Sequence, residues 1–144
     1  GCGRRGCLET YASATGLVRK VLSLLSDRRD ETLLRDLKST EITSRRVAEA
    51  AAAGDVIAQE ALDQTARMIA LGIANSVIFS SPEAIYLFGG LANAGDALFV
   101  PVRKYAEELV MPVFRGTFRV EPSGLHEAQA AILGSSALIW KEAY

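Results

Sequence analysis

The feature that most constrains the fold is the stretch from Asp55 to about Ser81, which carries helical spacing across nearly thirty residues. At about 1.5 Å per residue such a helix is roughly 40 Å long. Its first half is amphipathic, with Glu60, Asp63, Gln64 and Arg67 polar and Ile57, Ala61 and Leu62 apolar. Its second half, MIALGIANSVIF, is apolar nearly all round and is therefore expected to be buried on most sides. Such an element must be the centre around which the remaining pieces pack. Gly72 within it costs about 1 kcal/mol against alanine, which points to close packing of a neighbour at that spot.

The pieces before it read as helices. Cys7 to Ser13 predicts a short helix that Gly16 breaks, and Leu17, Val18, Val21, Leu22, Leu24 and Leu25 predict the next. Thr32 to Lys38 reads as a further short helical piece. A hydroxyl at Thr43-Ser44 starts another, which runs through the alanines to Gly54; Asp55 then caps the long helix. The pieces after it alternate. Ala84 to Phe88 is a short apolar run between Pro82 and Gly89-Gly90, which predicts a buried parallel strand. A helix starting near Ala97 to Pro101, with Pro101 in its first turn, is followed by a strand over Thr117 to Val120 and a helix from His126 to about Glu142. Strand, helix, strand, helix predicts a helix-rich α/β domain spanning 1–144, with a parallel sheet of which only part is in this chain.

Composition closes several classes. A net charge of −1 with acids and bases intermixed gives no basic footprint for nucleic acid. The apolar run Met68 to Phe79 falls short of the roughly 20 residues that cross a bilayer, so no membrane is expected and the default location is cytoplasmic. Two cysteines are not a disulfide framework.

Three features carry chemistry. GCGRRGCLETYAS opens the chain with Cys2 and Cys7 around a glycine-bounded turn, and Glu9 follows two positions later. Thiolates on a wrapped backbone suit zinc, although zinc takes four ligands; the same cysteines could equally be small packing residues or an adventitious disulfide. His126 is isolated and reads as a surface position at a helix start. Glu9 is either an exposed first-turn glutamate favoured by the helix dipole or a carboxylate held to accept hydrogen bonds from a polyol. Gly89 and Gly90 end a strand at the carboxyl edge of a sheet, where a phosphate or purine can approach the main chain; they could also be only a turn.

Together these residues resemble the ROK family of bacterial sugar kinases and sugar-responsive repressors. The family's zinc motif reads C-G-C-G-x-x-G-C-x-E, and GCGRRGCLE matches it from its second position on. The Gly54-Asp55 break, PEAIYLFGGLA and AILGSSA continue the likeness to the end of the chain, with the run most similar to the family's glucokinases. The resemblance implies an actin-like, ribonuclease-H-like ATPase fold whose other strands lie upstream. It implies Cys2 and Cys7 as two of three cysteine ligands of a structural Zn2+, Glu9 as a ligand of sugar hydroxyls, and Gly89 and Gly90 at the adenosine side of an ATP site. No catalytic residue is assigned in this chain. The phosphate loops, the general-base aspartate and the E-x-G-H segment are expected upstream, so the chain alone is expected to be inactive. In its full length it would transfer phosphoryl from Mg2+-ATP to the 6-hydroxyl of glucose or a close hexose. The alternatives are a sugar-responsive repressor and a non-catalytic sugar-binding domain; homo-oligomers are possible through uncovered apolar surface.

Overall fold

A computed structural model describes residues 3–125 and 127–142. Its elements in order are α1 (Leu8–Tyr11), α2 (Ala14–Asp27), α3 (Ser44–Ala52), α4 (Val56–Ser80), β1 (Ala84–Leu87), α5 (Asp96–Leu109), β2 (Arg119–Pro122) and α6 (Glu127–Glu142). The helix-rich α/β reading holds. Among the described residues, no helix is long and apolar enough to cross a membrane.

The long helix α4 is the axis: α1, α2, α3 and α5 all pack on it. Its buried face includes Ile57, Ala61, Ala66, Ala70, Ala74 and Val77. The alanines let neighbouring helices approach closely, and each large aliphatic brought in by a neighbour, such as Leu17, Val47, Leu98 or Val102, contributes about 1.5–3 kcal/mol on full burial. The second half is not buried all round. Leu71 and Ile78 are partly exposed and Phe79 is 93% exposed, because among the described residues packing covers only one side of the helix end.

Helix boundaries follow local chemistry. Asp55 caps α4, its Oδ1 accepting from the Ala58 N–H at 3.0 Å, after Gly54 has turned the chain at φ +90°. The Thr43 hydroxyl caps α3 and the Ser13 hydroxyl caps α2. Three expectations are corrected here. Gly16 lies inside the first turn of α2 and does not break a helix. A Cβ on it would sit 2.7 Å from the Thr10 carbonyl oxygen, so glycine is what lets α2 begin directly against α1. Thr32 to Lys38 forms turns, not a helix. There the Thr32 hydroxyl and the Leu33 N–H both donate to Asp55 Oδ2, at 2.6 and 2.7 Å, and this tertiary partner displaces the local helical bonds. Pro101 sits in the second turn of α5, since the helix starts at Asp96 after Gly95. Its missing N–H therefore removes an interior bond.

Among the described residues the sheet has two parallel strands, with Ile85 beside Val120 and Leu87 beside Pro122. A parallel pair needs a crossover, and α5 supplies it. The second strand is shifted two residues beyond the span Thr117 to Val120. β1 is parallel as expected but covered on one face only: Ile85 and Leu87 pack toward the core, while Tyr86 is 64% exposed and Phe88 50%. The Arg103 guanidinium of α5 donates to the Val120 carbonyl at 2.8 Å and to the Glu121 carboxylate at 3.1 Å, tying β2 to its crossover helix.

Candidate functional site

The opening loop is shaped by two glycines in left-handed backbone, Gly3 at φ +77° and Gly6 at φ +75°. These conformations strain residues that carry a Cβ, so the turn depends on glycine. Cys7 follows in extended backbone, half-buried, and its carbonyl accepts from the Thr10 N–H at 3.0 Å to start α1.

The single turn α1 is fixed to the axis by Leu8, whose Cδ2 lies 2.6 Å from where a Cβ would stand on Gly72. The glycine in α4 is thus a seat for Leu8, and the close packing expected of it is provided by a loop-end helix. Seating Leu8 directs the next residue. Glu9, exposed in the first turn, lines a cleft of 430 Å³ together with Ile73, Tyr86, Phe88 and Leu91. A carboxylate at the edge of a mostly apolar cleft is a hydrogen-bond acceptor for hydroxyls and leaves room for the carbon faces of a ligand.

A second cleft, of 530 Å³, opens at the carboxyl ends of the two strands. Gly89, at φ +100° with nothing within 4 Å of a Cβ position, lines it with Asn93, Ser123 and Gly124. Gly90 does not line it. Its carbonyl accepts from the Ser44 hydroxyl at 3.2 Å, which holds the Gly-Gly turn against the start of α3. The clefts share Leu87, Phe88 and Ala92, so Glu9 and Gly89 stand on adjoining cavities. Sequence reading missed Asn93, Ser123 and Gly124; the Pro122-Ser123-Gly124 turn was a signal for the last two, being where the second strand reaches the same sheet edge.

Cys7 offers a soft sulfur donor on a glycine-shaped loop, chemistry that suits zinc. Cys2 and His126 lie outside the described residues. Among the described residues, no group of three histidine, cysteine, aspartate or glutamate side chains gathers to hold a metal. The donor type fits Zn2+, and the described set does not by itself complete a tetrahedron.

The sequence pattern of the family described as "ROK family" matches residues 1–142. The glucokinase of Halalkalibacterium halodurans is 34% identical over 141 residues, covering 96% of this chain and 42% of that enzyme. The N-acetylglucosamine repressor of Escherichia coli O6:H1 is 27% identical over 138 residues, covering 96% of this chain and 32% of the repressor. A solved ROK family glucokinase from Streptomyces griseus, in complex with glucose and AMPPNP, superposes with a TM-score of 0.82 at 28% identity, over 95% of this chain and 45% of that one. The chain therefore spans less than half the length of the relatives it matches.

Proposed function

Because the chain belongs to the ROK family, we propose that it is the part of a sugar kinase that holds the substrate sugar and the adenosine end of ATP. The full-length protein transfers the γ-phosphoryl of ATP to the 6-hydroxyl of glucose or a close hexose. The observation that carries this reading is the pair of adjoining clefts, one with Glu9 at its edge and one with Gly89 at its floor. The similarity to a glucokinase whose structure holds glucose and AMPPNP supports it.

In this reading Glu9 accepts hydrogen bonds from sugar hydroxyls, and the neighbouring apolar side chains take the sugar's carbon faces. Gly89 leaves the main chain open to the adenosine, while Gly90 keeps the turn in place through Ser44. Cys2 and Cys7 are thiolate ligands of a structural Zn2+ that stiffens the loop leading to Glu9. Mg2+ bound with ATP supplies charge neutralisation at the phosphates. None of these residues is a general base, so this chain contributes binding and orientation.

Replacing Glu9 with Gln in the full-length protein tests the assignment. A hydrogen bond to a charged group is worth about 1.5–3 kcal/mol, so kcat/KM for the sugar should fall about 10- to 100-fold with the KM for ATP nearly unchanged. Unchanged sugar kinetics would remove Glu9 from the site. Zinc is read separately: the full-length protein purified without chelator should carry stoichiometric zinc by elemental analysis.

A second reading, a sugar-responsive repressor, is favoured by the similarity to the N-acetylglucosamine repressor along nearly the whole chain. Sugar binding without ATP turnover, together with sugar-dependent release of DNA by the full-length protein, would select it.

A further inference from the structure

A third cleft, of 540 Å³, lies between α2 and α4 and is closed at one end by Thr10 and Tyr11 of α1. Its size falls within the range of small-molecule sites. Gly16 lines it at the point where α2 starts hard against α1.

The charges around it do not balance. Arg67 is neutralised by Asp63 at 3.0 Å, and Arg28 pairs with Glu60, the acid nearest Gln64 on the rim. Arg19 and Lys20 form no ion pair among the described residues. One Arg19 nitrogen donates to the Thr10 carbonyl at 3.2 Å, which orients the guanidinium and leaves its other donors open. Two uncompensated cations thus stand at the mouth of a cleft with Met68 and Gly16 in its wall.

Inside is a hydroxyl that faces the cleft. Thr65 is 2% exposed and lines the cleft, and its hydroxyl makes no hydrogen bond to another described residue. Among the described residues no buried side-chain polar atom lacks a partner, so this oxygen is reached from the cleft and can bond to water or to a ligand acceptor. Ser76, on the same helix, instead bonds back to the Gly72 carbonyl at 2.9 Å.

We propose that this cleft binds a phosphate monoester with a compact apolar body. The phosphate sits against Arg19 and Lys20, whose two charges match a dianion, and the body enters beside Met68 with an ester oxygen within reach of the Thr65 hydroxyl.

The test is a titration of the full-length protein with phenyl phosphate, followed by amide chemical shifts in 1H–15N spectra. Saturable shifts are expected at Gly16, Ser23 and Thr65, with phenol and inorganic phosphate each binding about tenfold or more weakly, since each offers only half of the recognised chemistry. The double variant R19Q/K20Q should lose about tenfold in affinity with its Tm unchanged. Thr65→Val, which keeps the volume and removes the hydroxyl, should lose severalfold. Equal affinity in R19Q/K20Q, absence of saturable shifts, or shifts confined to Gly89, Asn93 and Ser123 would overturn the proposal.

Discussion

Asp55 is a buried carboxylate that accepts three hydrogen bonds, from the Thr32 hydroxyl and from the Leu33 and Ala58 N–H groups. Burial pushes its carboxyl pKa up, but the Thr32 hydroxyl and the N–H groups of Ala58, Leu33 and Ile57 outweigh that and hold it below the ordinary carboxylate value. Since the folded value is depressed, the carboxylate contributes stability that is fully present above the unfolded value, about 4, and is lost as pH falls through the folded one. Asp63 behaves alike: burial raises it, while hydrogen bonds from Tyr105 and Arg67 lower it further than burial raises it. Asp55→Ala removes a helix cap and orphans the Leu33 N–H, and should cost about 2–4 kcal/mol by chemical denaturation at neutral pH. Asp55→Asn should flatten the acid limb of the stability curve; an unchanged limb would mean that other carboxylates set it. The Gly54-Asp55 pair was legible in the sequence because stop and cap are both local. The second role of Asp55 was not, because its partners Thr32 and Leu33 come from a distant segment.

At the level of elements, two glycines inside helices have opposite meanings. A methyl on Gly16 would meet backbone, the Thr10 oxygen at 2.7 Å and the Tyr11 carbonyl at 2.9 Å, which cannot move aside cheaply. A methyl on Gly72 would meet only the tip of Leu8, a side chain already 46% exposed. Gly16→Ala should therefore destabilise by about 1–3 kcal/mol despite the gain in helix propensity. Gly72→Ala should leave stability equal or up to about 1 kcal/mol higher. Thermal melts of the two variants decide it, and a stabilised Gly16→Ala would refute the account of the α1–α2 junction. Element type was readable for α2 and α4 from apolar spacing, for α3 from its hydroxyl cap and alanines, and for β1 from a short apolar run bounded by Pro82 and Gly89-Gly90. Gly16 was misread because a breaker and a contact glycine look alike until the neighbour is known. Pro101 was misplaced because the helix start depends on Gly95, whose φ of +59° no spacing announces. In the candidate site, Glu9 and Gly89 were reachable from motif and strand-end position. Asn93 was not, since its place in the strand-end cleft depends on the turn after Gly90.

Across the whole molecule, protection should grade outward from α4. The helix is packed by four others, whereas among the described residues each strand has one partner and β1 has a bare face. Hydrogen exchange read by mass spectrometry should show amides from Ala66 to Ala74 exchanging only through global unfolding, and those of Ala84–Leu87 exchanging through smaller openings. Equal protection of the two segments would contradict this grading. The location of the core was visible in the sequence from the apolar second half of α4. The exposure of Phe79, Tyr86 and Phe88 was not, because an apolar run states what can be buried and leaves open which neighbours arrive to bury it.

The one-turn helix α1 contributes Leu8 and Glu9 to one cleft and Thr10 and Tyr11 to another. It is therefore a party wall between two chambers. A ligand in either chamber rests against the same single turn of backbone, and a substitution that displaces this turn alters both chambers at once.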